Sequence, residues 1–225
     1  MEIISRLQNA RLYGILDLGY VKEAEAPTVA HSMLEGGVQV LQLRAKTMDA
    51  AQFARLALAL APLCRDYSVP FILNDHPGLV RETGADGAHV GQDDMSVAEA
   101  RSLAGDGALI GKSTHSLAQA TAALAEAPDY LGFGPLFATA TKPDYSPIGL
   151  AEIAEVHRLV SLPIFCIGGI KRENLPAVLA AGAERVVIVS GILTSTCPSS
   201  YIADCLQKLA KGDAYPIDHD AKAAT

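Results

Sequence analysis

Apolar residues fall into eight short runs along the chain, at 12–16, 38–43, 70–73, 87–90, 108–111, 130–133, 163–167 and 185–189. Runs of this length, bounded by turn signals, predict strands covered on both faces. Between them lie stretches such as AAQFARLALALAPLCRDY and LPAVLAAG, whose apolar positions recur at helical spacing. Strands that alternate with helices predict parallel pairing through right-handed crossovers.

An internal echo extends the pattern. VPFILNDHPGLVRETGADGAHVG and LPIFCIGGIKRENLPAVLAAGAERVVIVS share one plan: Pro, strand, polar or Gly turn, helix, Gly-Ala or Ala-Gly-Ala, strand. Repeated strand–helix units predict a single-domain (β/α)8 TIM barrel over residues 1–211. No GxGxxG follows the first strand, which argues against an open dinucleotide-binding sheet. Residues 212–225 lack periodicity and are expected to form a mobile tail.

Composition narrows the partners. The 225 residues carry 18 basic and 25 acidic side chains, a net charge of −7, which disfavours nucleic acid and anionic membranes as partners. The four cysteines show no CxxC pairing, and Cys64 and Cys166 lie in apolar runs as small core residues. A reducing cytoplasmic setting without disulfides is the expectation. The N-terminal residues show no signal-peptide pattern, and no uncharged run reaches membrane-spanning length. A homo-oligomer is compatible with the chain.

In a barrel of this kind chemistry gathers where the strands end. VLQLRAKT places Gln42, Arg44 and Lys46 at every second position, so all three point to one side and are expected to project into the mouth. Two cations held together need an anion or a carboxylate between them. The third strand ends in Asn74 and Asp75, the fourth leads to Asp93 and Asp94, and the fifth to Ser113 and His115. Asp75 or Asp94 alone reads as a turn or cap residue. Together they form a pair of hard oxygen donors suited to Mg²⁺. Gly168 and Gly169 after the seventh strand, with Val189 and Ser190 after the eighth, offer backbone N–H groups to a phosphate, although helix–strand packing explains any single glycine equally well. Thr139 and Thr141 lie two apart and could reach the same ligand.

Two anion sites follow from these residues. One is cationic and metal-assisted, suited to a pyrophosphate: Arg44, Lys46, Asn74, Asp75, Asp94, Ser113 and Lys142. The other is neutral and built from backbone: Gly169, Val189 and Ser190. A pyrophosphorylated and a phosphorylated ligand, with no evident nucleophile, suggest a transfer in which pyrophosphate leaves.

QLRAK (42–46), NDHPGLV (74–80), ADGAHVGQDD (85–94), IGKSTHS (110–116), DYLGFGPLFATATK (129–142) with Gly149, CIGGI (166–170) and VIVSGI (187–192) resemble thiamine phosphate synthases, and the similarity runs from Leu12 to about Leu209. The resemblance implies condensation of 4-amino-5-hydroxymethyl-2-methylpyrimidine diphosphate with 4-methyl-5-(2-phosphoethyl)thiazole, giving thiamine phosphate and pyrophosphate. It assigns Gln42, Arg44, Lys46, Asn74, Ser113 and Lys142 to the pyrimidine diphosphate, with Arg44, Lys46, Lys142 and Ser113 catalytic. It assigns Asp75 and Asp94 to Mg²⁺, and Thr139, Thr141, Gly169, Val189 and Ser190 to the thiazole phosphate. The loop TKPDYSPIG (141–149) is expected to act as a lid that carries Lys142 over the diphosphate. Gly14 and Asp17 take no role from the resemblance, Lys112 either touches the diphosphate or reaches solvent, and His115 reads as a cap for the helix that follows. The rival readings are a thiazole tautomerase of the same barrel family and a catalytically silent phosphate-binding barrel.

Overall fold

Side chains alternate along each strand, so a strand apolar throughout feeds two separate cores. The computed structural model, which describes residues 2–139 and 146–212, shows both. Leu12, Leu16, Leu41, Leu43, Leu73, Ile110, Leu131, Ile164, Val186 and Ile188 point outwards into a layer shared with the helices. Tyr13, Ile15, Val40, Ile72, Leu109, Tyr130, Phe165 and Val187 point inwards and fill the centre.

The strands are β1 (Leu12–Asp17), β2 (Val40–Arg44), β3 (Phe71–Asn74), β4 (Gly87–Val90), β5 (Leu109–Thr114), β6 (Tyr130–Phe133), β7 (Ile164–Cys166) and β8 (Val186–Ile188). They close into a barrel in sequential order, and every neighbouring pair is parallel, including β8 with β1. The chain is a single (β/α)8 barrel, as its pattern predicts. Four strands run further than their apolar runs. β1 reaches Asp17, β2 Arg44, β3 Asn74 and β5 Thr114, because the pleat continues where side chains turn polar.

Among the described residues the helices are α1 (Glu2–Asn9), α2 (Ala26–Glu35), α3 (Ala50–Asp66), α4 (Val80–Thr83), α5 (Val97–Ala104), α6 (Leu117–Ala123), α7 (Ile153–Leu159), α8 (Leu175–Ala180), α9 (Ser190–Leu193) and α10 (Pro198–Gly212). Local chemistry sets several starts. Asp49 and Gln52 form a capping box on α3, and Ser96 and Glu99 form another on α5. α1 lies outside the repeat: its Leu7, 1% exposed, joins the inner core and closes the lower end of the barrel. Truncating a side chain so placed costs about 2–5 kcal/mol.

Gly14 has a structural task. A Cβ there would lie 2.5 Å from the Met33 side chain of α2 and 2.9 Å from Val38, so its absence lets α2 settle on β1. Cys64 and Cys166 are buried, and Cys197 and Cys205 are also free thiols. Burial pushes the Cys64 and Cys166 thiols up to about 12, which keeps them protonated and inert. No helix among the described residues is long and apolar enough to cross a membrane.

Candidate active site

The C-terminal ends of the strands surround a cavity of about 900 Å³, counting its open mouth. Tyr13, Ile15, Tyr130, Phe165 and Val187 line it from the inner core. The edge of Phe165 meets Tyr13 at 5.3 Å and Tyr130 at 5.7 Å between ring centroids. This aromatic base suits a flat ring. Gln42, Arg44, Asn74, Ser113, Thr139, Gly169, Val189 and Ser190 all line the same cavity, so eight of the expected site residues converge. Thr141 and Lys142 lie outside the described residues, as does much of the expected lid.

The two cations of β2 do not share one environment. Ile15 pairs with Gln42 and Asp17 with Arg44 in the β1–β2 register. Arg44 donates to Asp17 at 2.5 Å, with side chains 13% and 3% exposed. Asp17, which carried no expected role, is the carboxylate that balances Arg44, and its other oxygen accepts from the Gly19 N–H at 2.9 Å. Lys46 instead lies at the rim, half exposed, and binds the Asp75 carboxylate. The expectation that both cations project into the mouth holds for Arg44, while Lys46 lies past the end of β2, where strand alternation has stopped, and pairs with Asp75 instead.

Asp75 stands out in its backbone. Its φ of 60° is left-handed, a conformation that Asp tolerates better than most residues and that clusters at functional sites. Its N–H is held by the His89 carbonyl at 2.9 Å. Its Oδ2 accepts from Asn74 at 2.6 Å as well as from Lys46. Asp94 is exposed and its Oδ2 accepts from the Gly91 N–H at 2.7 Å, closing a turn, while Ser96 caps α5. Each of these two carboxylates keeps its Oδ1 without a partner among the described residues. Among the described residues no three His, Cys, Asp or Glu gather as a metal cluster. Carboxylate oxygens are the kind of donor that Mg²⁺ takes alongside phosphate and water.

Gly168 and Gly169 follow β7 with φ of 101° and 64°. A Cβ on Gly168 would lie 2.4 Å from the Pro135 Cα, and one on Gly169 would lie 2.7 Å from the Phe137 Cβ. Both glycines are therefore required by the neighbouring segment 135–138, which the sequence reading did not foresee. Backbone N–H groups exposed at a turn can line a concavity that suits anions. Val189 and Ser190 open α9 after the neighbouring strand β8 and line the same cavity.

The interior also holds a polar chain that the sequence reading missed. Gln42 Nε2 donates to Tyr13 Oη at 2.8 Å, and Tyr13 Oη lies 3.1 Å from Tyr130 Oη. Tyr130 Oη lies 3.2 Å from His89 Nδ1, and His89 Nε2 lies 2.9 Å from Ser113 Oγ. Burial pushes both phenols far above their ordinary range, so each keeps its proton. The available signal was strand parity, since Tyr13, His89 and Tyr130 fall on the inward positions of their strands.

Two other side chains fall elsewhere than expected. Lys112, 7% exposed, binds both Glu126 oxygens at 2.6 Å and does not line the cavity. His115 does not cap α6; Ser116 does, accepting from the Gln119 N–H at 3.2 Å. His115 lines the cavity and its Nδ1 lies 2.5 Å from the Gly134 carbonyl.

Residues 12–192 match the family model described as thiamine monophosphate synthase. A thiamine-phosphate synthase of Gloeobacter violaceus is 39% identical over 94% of this chain and 61% of its own length. One from a Synechococcus is 41% identical over 91% of this chain and 58% of its own. One from Chloroflexus aurantiacus is 41% identical over 85% of this chain and 89% of its own. The chain thus spans about 60% of the length of the first two relatives and most of the third. Among solved structures, the thiamine phosphate pyrophosphorylase of Pyrococcus furiosus superposes with a TM-score of 0.83 at 27% identity, covering 92% of this chain and 98% of that one. A 3-hexulose-6-phosphate synthase of Salmonella typhimurium, at 16% identity and a TM-score of 0.65, shares the fold alone.

Proposed function

The chain belongs to the thiamine monophosphate synthase family, and from that premise we propose that it joins a pyrimidine methyl diphosphate to a thiazole phosphate, forming thiamine phosphate and releasing pyrophosphate. The observation that carries the reading is the convergence, in one cavity, of Arg44 with the glycine turn at Gly168–Gly169 and with Val189–Ser190, above an aromatic base. A cationic grip suits the leaving diphosphate, and a neutral backbone cradle suits the phosphate of the second substrate.

The reaction sets modest demands on the side chains. The thiazole nitrogen carries its own lone pair, so no residue has to remove a proton to create the nucleophile. The C–O bond to pyrophosphate breaks as charge grows on the departing oxygens. Arg44, Lys46, Lys142 and Ser113 donate to those oxygens, and Gln42 and Asn74 orient the pyrimidine end. Thr139, Thr141, Gly169, Val189 and Ser190 hold the thiazole phosphate. Asp75 and Asp94 would hold Mg²⁺, which supplies further neutralisation of the diphosphate when bound.

The ion pairs fit this division of labour. Lys46 pairs with Asp75 and Arg44 with Asp17. Arrival of a diphosphate gives Lys46 a stronger acceptor and releases Asp75. The small-molecule partners are therefore both phosphorylated, and cytoplasmic operation accords with free thiols throughout.

The test is direct. Purified protein supplied with both substrates and Mg²⁺ is expected to form thiamine phosphate, and chelator is expected to stop it. Exchange of the thiazole tautomer without condensation would favour the tautomerase, and binding of phosphate without turnover would favour a silent barrel.

A further inference from the structure

The chain Gln42–Tyr13–Tyr130–His89–Ser113 crosses the barrel from β2 to β5 and ends on a side chain assigned above to the diphosphate. Counting protons gives each bond a direction. Tyr13 Oη already accepts from Gln42 Nε2 at 2.8 Å, and its own proton has only Tyr130 Oη, at 3.1 Å, as an acceptor among the described residues. Tyr130 therefore accepts from Tyr13, and its proton goes to His89 Nδ1 at 3.2 Å. Buried hydroxyls are expected to use their donors in this way. A neutral imidazole has one donor and one acceptor nitrogen. With Nδ1 accepting, Nε2 carries the proton and donates to Ser113 Oγ at 2.9 Å.

The end of the chain is where this matters. Phosphate oxygens accept hydrogen bonds and have none to give. With the opposite tautomer, Ser113 would spend its proton on His89 and face an anion with lone pairs alone. With Nε2 protonated, the Ser113 proton is free for the ligand. The other end is matched, because Gln42 Oε1 has no partner among the described residues and remains an acceptor beside the cavity. We propose that Tyr130 is a positioning residue that fixes the proton of His89 on Nε2 and thereby commits the Ser113 hydroxyl to donate into the cavity. The half of this that concerns Ser113 and an anion rests on the diphosphate reading; the half that concerns the tautomer does not.

The experiment uses the full chain labelled with ¹⁵N-histidine, with the His89 signal identified by its loss in His89→Gln. The wild type is expected to show the Nε2–H tautomer alone. Tyr130→Phe removes one oxygen from a ring that otherwise keeps its packing, and is expected to give a mixture of both tautomers. Tyr13→Phe leaves the Tyr130 hydroxyl in place and is expected to keep the Nε2–H form. An Nδ1–H wild type, or a Tyr130→Phe spectrum like the wild type, would overturn the assignment.

Binding of inorganic pyrophosphate with Mg²⁺ gives the second readout. Ser113→Ala is expected to weaken it about 10-fold, the worth of a hydrogen bond to a charged group, Tyr130→Phe about 2-fold, since part of the population keeps the competent tautomer, and the double variant no further than Ser113→Ala alone. Additive losses would overturn the link from Tyr130 to Ser113. A wild type that ignores pyrophosphate would sink the diphosphate reading instead, and the tautomer spectra would still decide the role of Tyr130.

Discussion

Asp17 and Arg44 stand directly opposite each other on β1 and β2, joined at 2.5 Å with side chains 3% and 13% exposed. Removing the charge of Asp17 leaves a cation almost out of water. Asp17→Asn is expected to cost about 3 kcal/mol in urea unfolding. It also leaves Arg44 in greater need of an anion, so pyrophosphate with Mg²⁺ should raise the melting temperature of the variant more than that of the wild type. A smaller rise in the variant would take Arg44 out of the anion site.

Lys112 provides the opposite case. It is adjacent to Ser113 in sequence but paired with Glu126 on the outer side of the barrel. Lys112→Met is expected to leave turnover unchanged and to cost about 1 kcal/mol of stability. A drop in turnover of ~10²-fold, the size expected for a lost charge-stabilising donor, would return Lys112 to the diphosphate.

Gly168→Ala tests the turn after β7. The φ of 101° alone carries strain of roughly 1–3 kcal/mol in a residue with a side chain. The new methyl would also meet the Pro135 Cα at 2.4 Å, a backbone atom that cannot swing aside. The variant is expected to lose both stability and turnover. Unfolding at the wild-type urea midpoint would show that segment 135–138 gives way freely.

Asp86 predicts a pH effect. Burial raises its pKa, against the opposing pull of the Phe71 N–H, which its carboxylate accepts at 2.8 Å, and of Arg65. A folded pKa above the unfolded value means that the native state binds the proton more tightly. The stabilisation is present at low pH and lost as pH rises through the folded pKa. Asp86→Asn keeps an acceptor for Phe71 without the charge. It should be more stable than the wild type at pH 7, with the advantage shrinking as pH falls through the raised pKa towards the ordinary carboxylate value. Urea midpoints across that range check the sign, and a less stable variant at pH 7 would reverse it.

The barrel was legible because its strands are apolar on both faces and its helices are not, a contrast that periodicity alone exposes. The polar strand ends were legible for the same reason, as Gln42 and Arg44 interrupt an otherwise apolar rhythm. What stayed hidden depends on register. Asp17 acquires its role only when β1 and β2 are aligned so that it faces Arg44. Tyr13 and Tyr130 look like ordinary core residues until the closed barrel brings their hydroxyls to 3.1 Å. The partner of Lys112 was hidden because one step along β5 reverses the face and brings it to Glu126. The glycines of IGGI were seen as ligand contacts, yet the backbone of 135–138 makes the nearer demand on them.

With Leu7 of α1 seated in the inner core, the described residues leave the barrel a doorway at the C-terminal ends of its strands. Under the proposed condensation, traffic through it has to queue: whichever ring rests on Tyr13, Tyr130 and Phe165 enters before its companion, and the joined product leaves by the way both came in. Product-inhibition patterns should then betray a compulsory sequence of arrivals, dictated by a short stretch of chain that never meets either visitor.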